Sequence, residues 1–310
     1  MSLLIVGTVA FDQIETPFGK TERIVGGSAP YIALAAAQFI DEINLVSVIG
    51  SDFPDDFIQM MEQRGIRNEG LQVIENGKSF FWSGRYHHDM NTRDTLVTDL
   101  NVLDGFDPVI PDSYQSSQYV MLGNLTPDVQ MKVIQRLRSR PKLVVMDTMN
   151  YWMKPPFREG LDEVMAKVDV VAINDSEARL YTEEYSLVRA ARKILDKGPQ
   201  YVVLKKGENG ALLFHEDQVF FAPALPLEEV FDPTGAGDTF AGGFLGYLAK
   251  TENLSFDNLK RAVIYGSAMA SFCVEKFGTD RLVEVTREEV ENRVSDFIDL
   301  VQFDIDLVEE

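Results

Sequence analysis

Short apolar runs, each closed by a turn or polar residue, recur along this chain with helical segments between them. That alternation restricts the fold more than any other feature. Leu3-Leu4-Ile5-Val6-Gly7 and Leu45 to Ile49 read as buried strands. An alanine-rich helix over Ala29 to Ile40 separates them, and a helix over Asp55 to Arg64, ended by Gly65, follows the second. Strand, helix, strand, helix predicts a parallel sheet covered on both faces. Strands of the same type resume at Tyr119 to Leu122, Leu143 to Asp147, Val168 to Asn174 and Tyr201 to Lys205. Helices over Pro127 to Arg138 and Leu187 to Lys197 and a hairpin over Ala211 to Phe221 accompany them. The last third reads as helical: Gly237 to Ala249, Asn258 to Phe272, and a tail that Thr286 and Glu289 open as a capping box.

Leu71 to Leu103 departs from this rhythm. Ser79-Phe80-Phe81-Trp82-Ser83-Gly84-Arg85-Tyr86 is aromatic and β-prone, with no long helix near it. It predicts antiparallel strands forming a small sheet beside the main body, joined by the turn-rich stretch Phe11 to Val25. No repeat, low-complexity tract or interdomain linker interrupts the chain, so its 310 residues are read as one α/β domain over 1–310.

Composition excludes several classes of function. With 29 basic and 49 acidic residues the net charge is −20, which repels phosphate backbones and anionic lipid. Nucleic acid and membrane surfaces are therefore not expected partners. Cys273 stands alone, which leaves no internal disulfide and no multi-thiolate metal site, and His87, His88 and His215 do not have the spacing of a zinc site. No basic start followed by an apolar core marks a targeting signal, and Tyr31 to Ile40 and Thr239 to Ala249 are too short to span a bilayer. The expected compartment is the cytoplasm.

Two segments imitate a phosphate loop and fail on spacing. Gly19-Lys20-Thr21 and Gly77-Lys78-Ser79 both lack the leading glycine, since Ile14 and Gln72 occupy its place. A dinucleotide G-x-G-x-x-G is absent after the first strand, and the pattern begun at Gly235-Ala236-Gly237 reaches Phe240 where its third glycine belongs. The informative segment is Asp232-Pro233-Thr234-Gly235-Ala236-Gly237-Asp238-Thr239-Phe240-Ala241-Gly242-Gly243. Small residues lead into a helix whose first turn carries an aspartate, and free amides there make a cavity for anionic oxygen. An N-cap would account for Asp238 alone. Glycines on both sides of it point instead to a ligand held close. A carboxylate beside an oxyanion cavity supplies a base and charge stabilisation together, as transfer of a phosphoryl group to an alcohol requires. Gly26-Gly27-Ser28 likewise lets the backbone approach something closely ahead of a helix N-terminus.

The long segment resembles the Asp-Thr-x-Gly-Ala-Gly-Asp signature of the ribokinase (PfkB) family of carbohydrate and nucleoside kinases. Gly26-Gly27-Ser28-Ala29 looks like that family's substrate-side double glycine, Asn174-Asp175-Ser176-Glu177 like its Asn-x-x-Glu metal motif, and Lys206-Gly207-Glu208-Asn209-Gly210 like its nucleotide loop. The resemblance implies a ribokinase-like three-layer α/β/α fold, with a mostly parallel central sheet and a small antiparallel β-sheet lid from about 11–25 and 72–104. It implies ATP-dependent phosphorylation of a hydroxymethyl group on a small sugar or nucleoside, from ribose, fructose or ketodeoxygluconate to adenosine.

In that reading Asp238 is the catalytic base and Gly235, Ala236, Gly237 and the Asp238 amide form the anion hole. Asn174 and Glu177 hold Mg²⁺ through waters, while Lys206, Gly207, Gly210 and Asn174 line the nucleotide. Asp232 and Thr234, with Phe277-Gly278-Thr279, hold a monovalent cation such as K⁺. Asp12, Gly26, Gly27, Tyr31, Asn124 and Asn150 face the acceptor. Pro30-Tyr31 stands where most members carry an asparagine, so Tyr31, with Phe11, Trp82 and Trp152, is a candidate for stacking on a base or sugar. Arg85 and Arg93 in the lid are candidates for an anionic group, and Lys205 or Lys206 for local neutralisation of ATP. A homodimer through the lid is also implied. An idle sensor on the same fold is the alternative, and its expected mark is loss of the base or of the anion-hole glycines. A sister branch acting on vitamin-like heterocycles would lack the lid sheet.

Overall fold

The apolar runs assemble as one sheet. In the computed structural model, which describes residues 2–302, β1 (Leu3–Val6), β5 (Ile43–Gly50), β6 (Ile66–Ile74), β9 (Tyr119–Leu122), β10 (Leu143–Asp147), β11 (Val170–Asn174), β12 (Tyr201–Lys205), β13 (Ala211–His215) and β14 (Gln218–Ala222) pair in the order β14-β13-β12-β11-β10-β9-β1-β5-β6. Pairing is parallel from β6 through β12, and β13 and β14 add an antiparallel hairpin at the far edge. Met1 and 303–310, the ends of the expected 1–310 domain, lie outside the described residues.

Side-chain alternation along each strand builds a core on either face. Leu3 and Ile5 join Leu45, Tyr119 and Met121 beneath α1 (Ser28–Ala36), α7 (Ala236–Thr251) and α8 (Phe256–Cys273). Leu4 and Val6 point the other way, to the cluster under α3 (Pro127–Arg136), α4 (Arg158–Met165), α5 (Asp175–Thr182) and α6 (Leu187–Leu195). Each fully buried Leu, Ile or Val contributes roughly 1.5–3 kcal/mol, which explains strands with no polar face at all. The helices α2 (Asp55–Gln63), α9 (Asp280–Glu284) and α10 (Arg287–Val301) complete the outer layers. α10 opens on the expected capping box, in which Thr286 and Glu289 satisfy each other's amides.

The second sheet contains β2 (Ala10–Thr16), β3 (Gly19–Lys20), β4 (Ile24–Gly26), β7 (Phe80–Tyr86) and β8 (Arg93–Asp99), ordered β3-β2-β7-β8 with β4 also on β2. Its hairpins are antiparallel, while β2 and β7, which are far apart in sequence, pair parallel. Its expected start near residue 72 needs correcting. Leu71, Val73 and Ile74 belong to β6, the edge strand of the large sheet, parallel to β5. As an edge, β6 is half exposed and lacks the continuous apolar run of an inner strand, so its sequence resembles the lid strands that follow.

Candidate active site

β1, β9, β10, β11 and β12 are adjacent parallel strands of the large sheet, and their last residues lie side by side at its carboxyl edge, where open α/β sheets bind ligands. α7 starts above it. Gly235 precedes the helix at φ 76°, where a Cβ would also lie 2.5 Å from the Tyr31 ring, so only glycine fits. The Ala236 amide donates to the Pro233 carbonyl at 3.2 Å, which removes it from the expected anion hole. Among the described residues the Gly237 and Asp238 amides have no acceptor outside Asp238 itself. Asp238 lies in the first turn and makes no cap hydrogen bond; its Oδ1 is enclosed without a partner. Burial pushes its carboxyl up to about 7, the Asp147 charge adds to this, and Lys205 and Arg93 oppose it. An unsatisfied, enclosed carboxylate costs stability, and it is poised to accept a proton near neutral pH. The glycines after it do something else: Gly242 meets the backbone of α1 at Ile32 and Gly243 meets Met269 of α8, so they serve helix packing rather than a ligand.

Asp12 lies on β2, 5% exposed, facing the same space. Burial raises its carboxyl to about 7 against the hydrogen bond from the Gly27 amide, with Asp232 and Asp238 adding to the rise. The double glycine has a local explanation. A Cβ on Gly26 would strike the Asp12 carboxylate, and Gly27, at φ 86°, would put one 2.5 Å from the Thr8 carbonyl. The α1 N-terminus is already occupied: Ser28 N–H donates to Thr8 Oγ1 and Ala29 N–H to the Thr8 carbonyl, both at 2.9 Å. Gly26 and Gly27 thus hold Asp12 in place, and the close approach is internal.

The aromatic candidates fare differently from the expectation. Tyr31 is 1% exposed, its ring backing Gly235 and its hydroxyl enclosed without a partner, so neither face is open for stacking. Phe11 is sandwiched between the Arg23 guanidinium, 3.7 Å from its centroid, and Phe53. Trp82 folds over Gly84, and the Arg93 guanidinium lies 5.3 Å from its centroid. Trp152 Nε1 donates to Asn124 Oδ1 at 3.1 Å, and Asn124 Nδ2 donates to Met149 Sδ, which engages Asn124 away from an acceptor. Asn150 is exposed at the start of a 3₁₀ turn (Asn150–Met153), and its side chain has no hydrogen-bond partner among the described residues.

On the opposite side, Asn174 and Glu177 form a capping box at the start of α5. Asn174 Oδ1 accepts from the Glu177 amide at 2.8 Å and from Ser176 Oγ at 2.7 Å. Glu177 Oε2 accepts from Thr148 Oγ1 at 2.8 Å. Burial lifts Glu177 to about 7, and the Asp147 charge adds to it. The loop after β12 is a 3₁₀ turn (Gly207–Asn209) with Gly207 and Gly210 at positive φ, and the Lys206 ammonium lies 5.6 Å from the Phe221 ring centroid. Asp232 is fully buried, its two oxygens accepting from the Thr234 and Gly278 amides at 2.9 Å each.

The lid touches both halves. Tyr86 Oη meets Thr234 Oγ1 at 3.2 Å and accepts from Arg93 at 3.4 Å. Burial works against the Arg93 charge, but Tyr86, Glu177 and Asp238 outweigh it and raise its pKa. At the tip, Asn91 Nδ2 donates to Glu208 of the loop after β12 at 3.3 Å. Arg85 instead pairs with Glu15 at 2.8 Å within the lid, so it is not directed at the cleft. Sequence reading missed Asp147, Thr148, Tyr86 and Asn91. Asp147 had a signal: it closes an apolar strand with a carboxylate, the position at which open α/β sheets bind ligands.

Comparisons with known proteins agree on the lineage. The pattern described as pfkB family carbohydrate kinase matches residues 4–285. A cytidine kinase of Thermococcus kodakarensis is 32% identical over 253 residues, 80% of this chain and 88% of the relative. A ribokinase of Haemophilus influenzae is 31% identical over 94% of this chain and 97% of its own length. Among solved structures, a putative Ribokinase II from E. coli, in complex with ATP and Mg²⁺, superposes with a TM-score of 0.79 at 17% identity, covering 95% of this chain and 99% of that one, and so shares the fold. The chain belongs to the pfkB family of carbohydrate and nucleoside kinases.

Proposed function

For this member of that family, we propose ATP-dependent phosphorylation of the hydroxymethyl group of a ribose-bearing acceptor, a nucleoside first and free ribose second. The observation that carries the reading is the Asp238 carboxylate at the start of α7, its Oδ1 enclosed and unpartnered, beside the Gly237 amide, which has no acceptor among the described residues. Asp12 supports a ribose, because a carboxylate accepts two hydrogen bonds from a vicinal diol. The cytidine kinase and ribokinase relatives have that sugar in common.

In this reading Asp238 takes the proton from the acceptor hydroxyl as that oxygen bonds the γ-phosphorus. The bond to the bridging oxygen breaks and its electron pair leaves with ADP. The Gly237 and Asp238 amides receive the developing charge on the phosphoryl oxygens. Gly207 and Gly210 bring their loop against the nucleotide, with Lys206 beside it. The lid, latched by Tyr86 and Asn91, keeps out water that would otherwise take the phosphoryl group.

Mg²⁺ fits Glu177, a buried carboxylate that the neighbouring Asp147 charge repels and that Lys205, paired with Asp147, does not balance. Glu177 and Asn174 would hold it largely through waters, and it would supply neutralisation of the triphosphate charge. A monovalent ion such as K⁺ fits beside Asp232, a fully buried carboxylate with no basic side chain to balance its charge among the described residues. No helix among the described residues is long and apolar enough to cross a membrane. The lid edge suits a second copy of the chain, because β8 is exposed throughout and carries Leu96 and Val97.

A coupled ADP-release screen over nucleosides and sugars tests the activity. Cytidine or another nucleoside is expected to give the fastest acceptor-dependent turnover. ATP binding with no ADP release for any acceptor would favour the sensor alternative. Light scattering of wild type against Leu96→Lys tests the dimer, which the substitution is expected to split.

A further inference from the structure

Lys205 closes β12, and its ammonium is enclosed at the centre of the carboxyl edge. Nζ donates to both carboxylate oxygens of Asp147, at 3.0 and 2.9 Å, with the two side chains 15% and 8% exposed. A Cβ built on Gly237 would lie 3.1 Å from Nζ, so the ammonium rests against the residue whose amide is free at the start of α7. An ammonium carries three N–H donors, and the Asp147 carboxylate is the sole acceptor that Nζ has among the described residues, so N–H capacity is left over. Burying such a pair gains little stability over apolar packing, because both ions lose their water. The placement therefore calls for another reason. The charged groups facing it are Asp147 at the end of β10, Glu177 on α5 and Asp238 on α7, so the ammonium lies among three carboxylates.

We propose that Lys205 is a further catalytic residue, its ammonium donating an N–H left over from Asp147 to a non-bridging oxygen of the transferring phosphoryl group beside the Gly237 and Asp238 amides, with Asp147 as its positioning residue. This rests on reading the protein as an ATP-dependent kinase. Lys205 remains an ammonium throughout: the acceptor proton goes to Asp238, the new P–O bond forms as the bond to ADP breaks, and Lys205 neutralises charge spread over the phosphoryl oxygens. Asp147 anchors the ammonium and so holds its remaining N–H capacity beside Gly237. Charge-assisted bonds of this kind are the strong ones, and the site is enclosed enough for them to count.

The test compares acceptor-dependent ADP formation by wild type, Lys205→Met, Lys205→Arg, Asp147→Asn and the double variant Lys205→Met/Asp147→Asn. Lys205→Met is expected to lower kcat about 10²-fold, the scale for losing one oxyanion donor, with the acceptor KM within about twofold. Lys205→Arg should recover part of the loss, and Asp147→Asn should lower kcat by about tenfold because the anchor is weakened. The double variant should be no better than Lys205→Met. If Lys205 only neutralises Asp147, removing both charges restores turnover, and a double variant with wild-type kcat overturns the proposal. Wild-type kcat in Lys205→Met overturns it equally, and where that variant does not fold the double variant decides. Wild type that phosphorylates no acceptor refutes the kinase reading itself, whereas active wild type with active variants refutes the Lys205 assignment alone.

Discussion

The carboxyl edge of the large sheet and the lid that covers it handle charge in opposite ways. On the edge, Glu177 and Asp238 sit in low dielectric with their carboxyls pushed up to about 7, and Asp238 Oδ1 has no partner. On the lid, apart from the buried Asp12 of β2, these charges are exposed and satisfied locally: Arg85 with Glu15, His87 with Asp94 at 3.0 Å, and the Asp89 carboxylate with Thr92. Exposed pairs of this type contribute about 0–1 kcal/mol each. The large sheet can tolerate unsatisfied carboxylates because its two apolar cores outweigh them. The lid has no such reserve, and Tyr86 and Asn91 tie it to the site by single hydrogen bonds. Reactive groups are thus mounted on the rigid part, and the cover is the part that can open.

The contrast breaks first at Asp238. Asp238→Asn is expected to lose about 10²–10⁴ in kcat with ATP binding kept, measured by ADP release and calorimetry. The same variant should be more stable than wild type, with Tm raised by roughly 2–5 °C at pH 8. The sign follows from the raised carboxyl: its contribution to stability is full below the unfolded value near 4 and is lost as pH rises through about 7. The Tm gap should therefore widen from pH 5 to pH 8. Turnover should run the other way and fall about tenfold per unit below about pH 7, because the base must be ionised. A flat profile between pH 5 and 8 would remove Asp238 as the base.

Asp12→Asn should raise the acceptor KM by about 10–100-fold with little change in that for ATP, the scale of a lost charged hydrogen bond. Equal changes for both substrates would make it a general structural residue. Glu177→Gln should raise the Mg²⁺ needed for half-maximal rate about tenfold. The amide can still accept from Thr148, so the fold should hold. The smallest effect belongs to the lid: Tyr86→Phe removes the Thr234 contact and should cost about 1 kcal/mol of closure, a few-fold in kcat/KM. A variant as impaired as Asp238→Asn would mean that the lid does more than cover.

Much of this was legible in the chain. β1, β9, β10 and β12 matched their apolar runs, because a strand buried on both faces must be apolar throughout. Asp238 stood out because a carboxylate amid glycines at a helix start is a local pattern. β6 was misplaced because a half-exposed edge carries a weaker signature than an inner strand. Tyr31 was expected to meet a substrate and instead backs Gly235, a contact between residues 204 positions apart in the chain. Ala236 and Gly242 were given to the ligand, but a turn bond to Pro233 and the backbone of α1 claim them.

Periodicity and the short motif by themselves determined the class of fold, the family resemblance and the residue proposed as the base, because each is written in neighbours along the chain. Only the tertiary structure decided that Asp147 and Lys205 form a buried pair against Gly237, that Arg93 meets the Tyr86 hydroxyl while Arg85 pairs with Glu15, and that the double glycine leaves room for Asp12. Each of these depends on two elements remote in sequence meeting at one sheet edge. Whether a charge is paired, buried or free there is set by distance and dielectric, which no local pattern encodes.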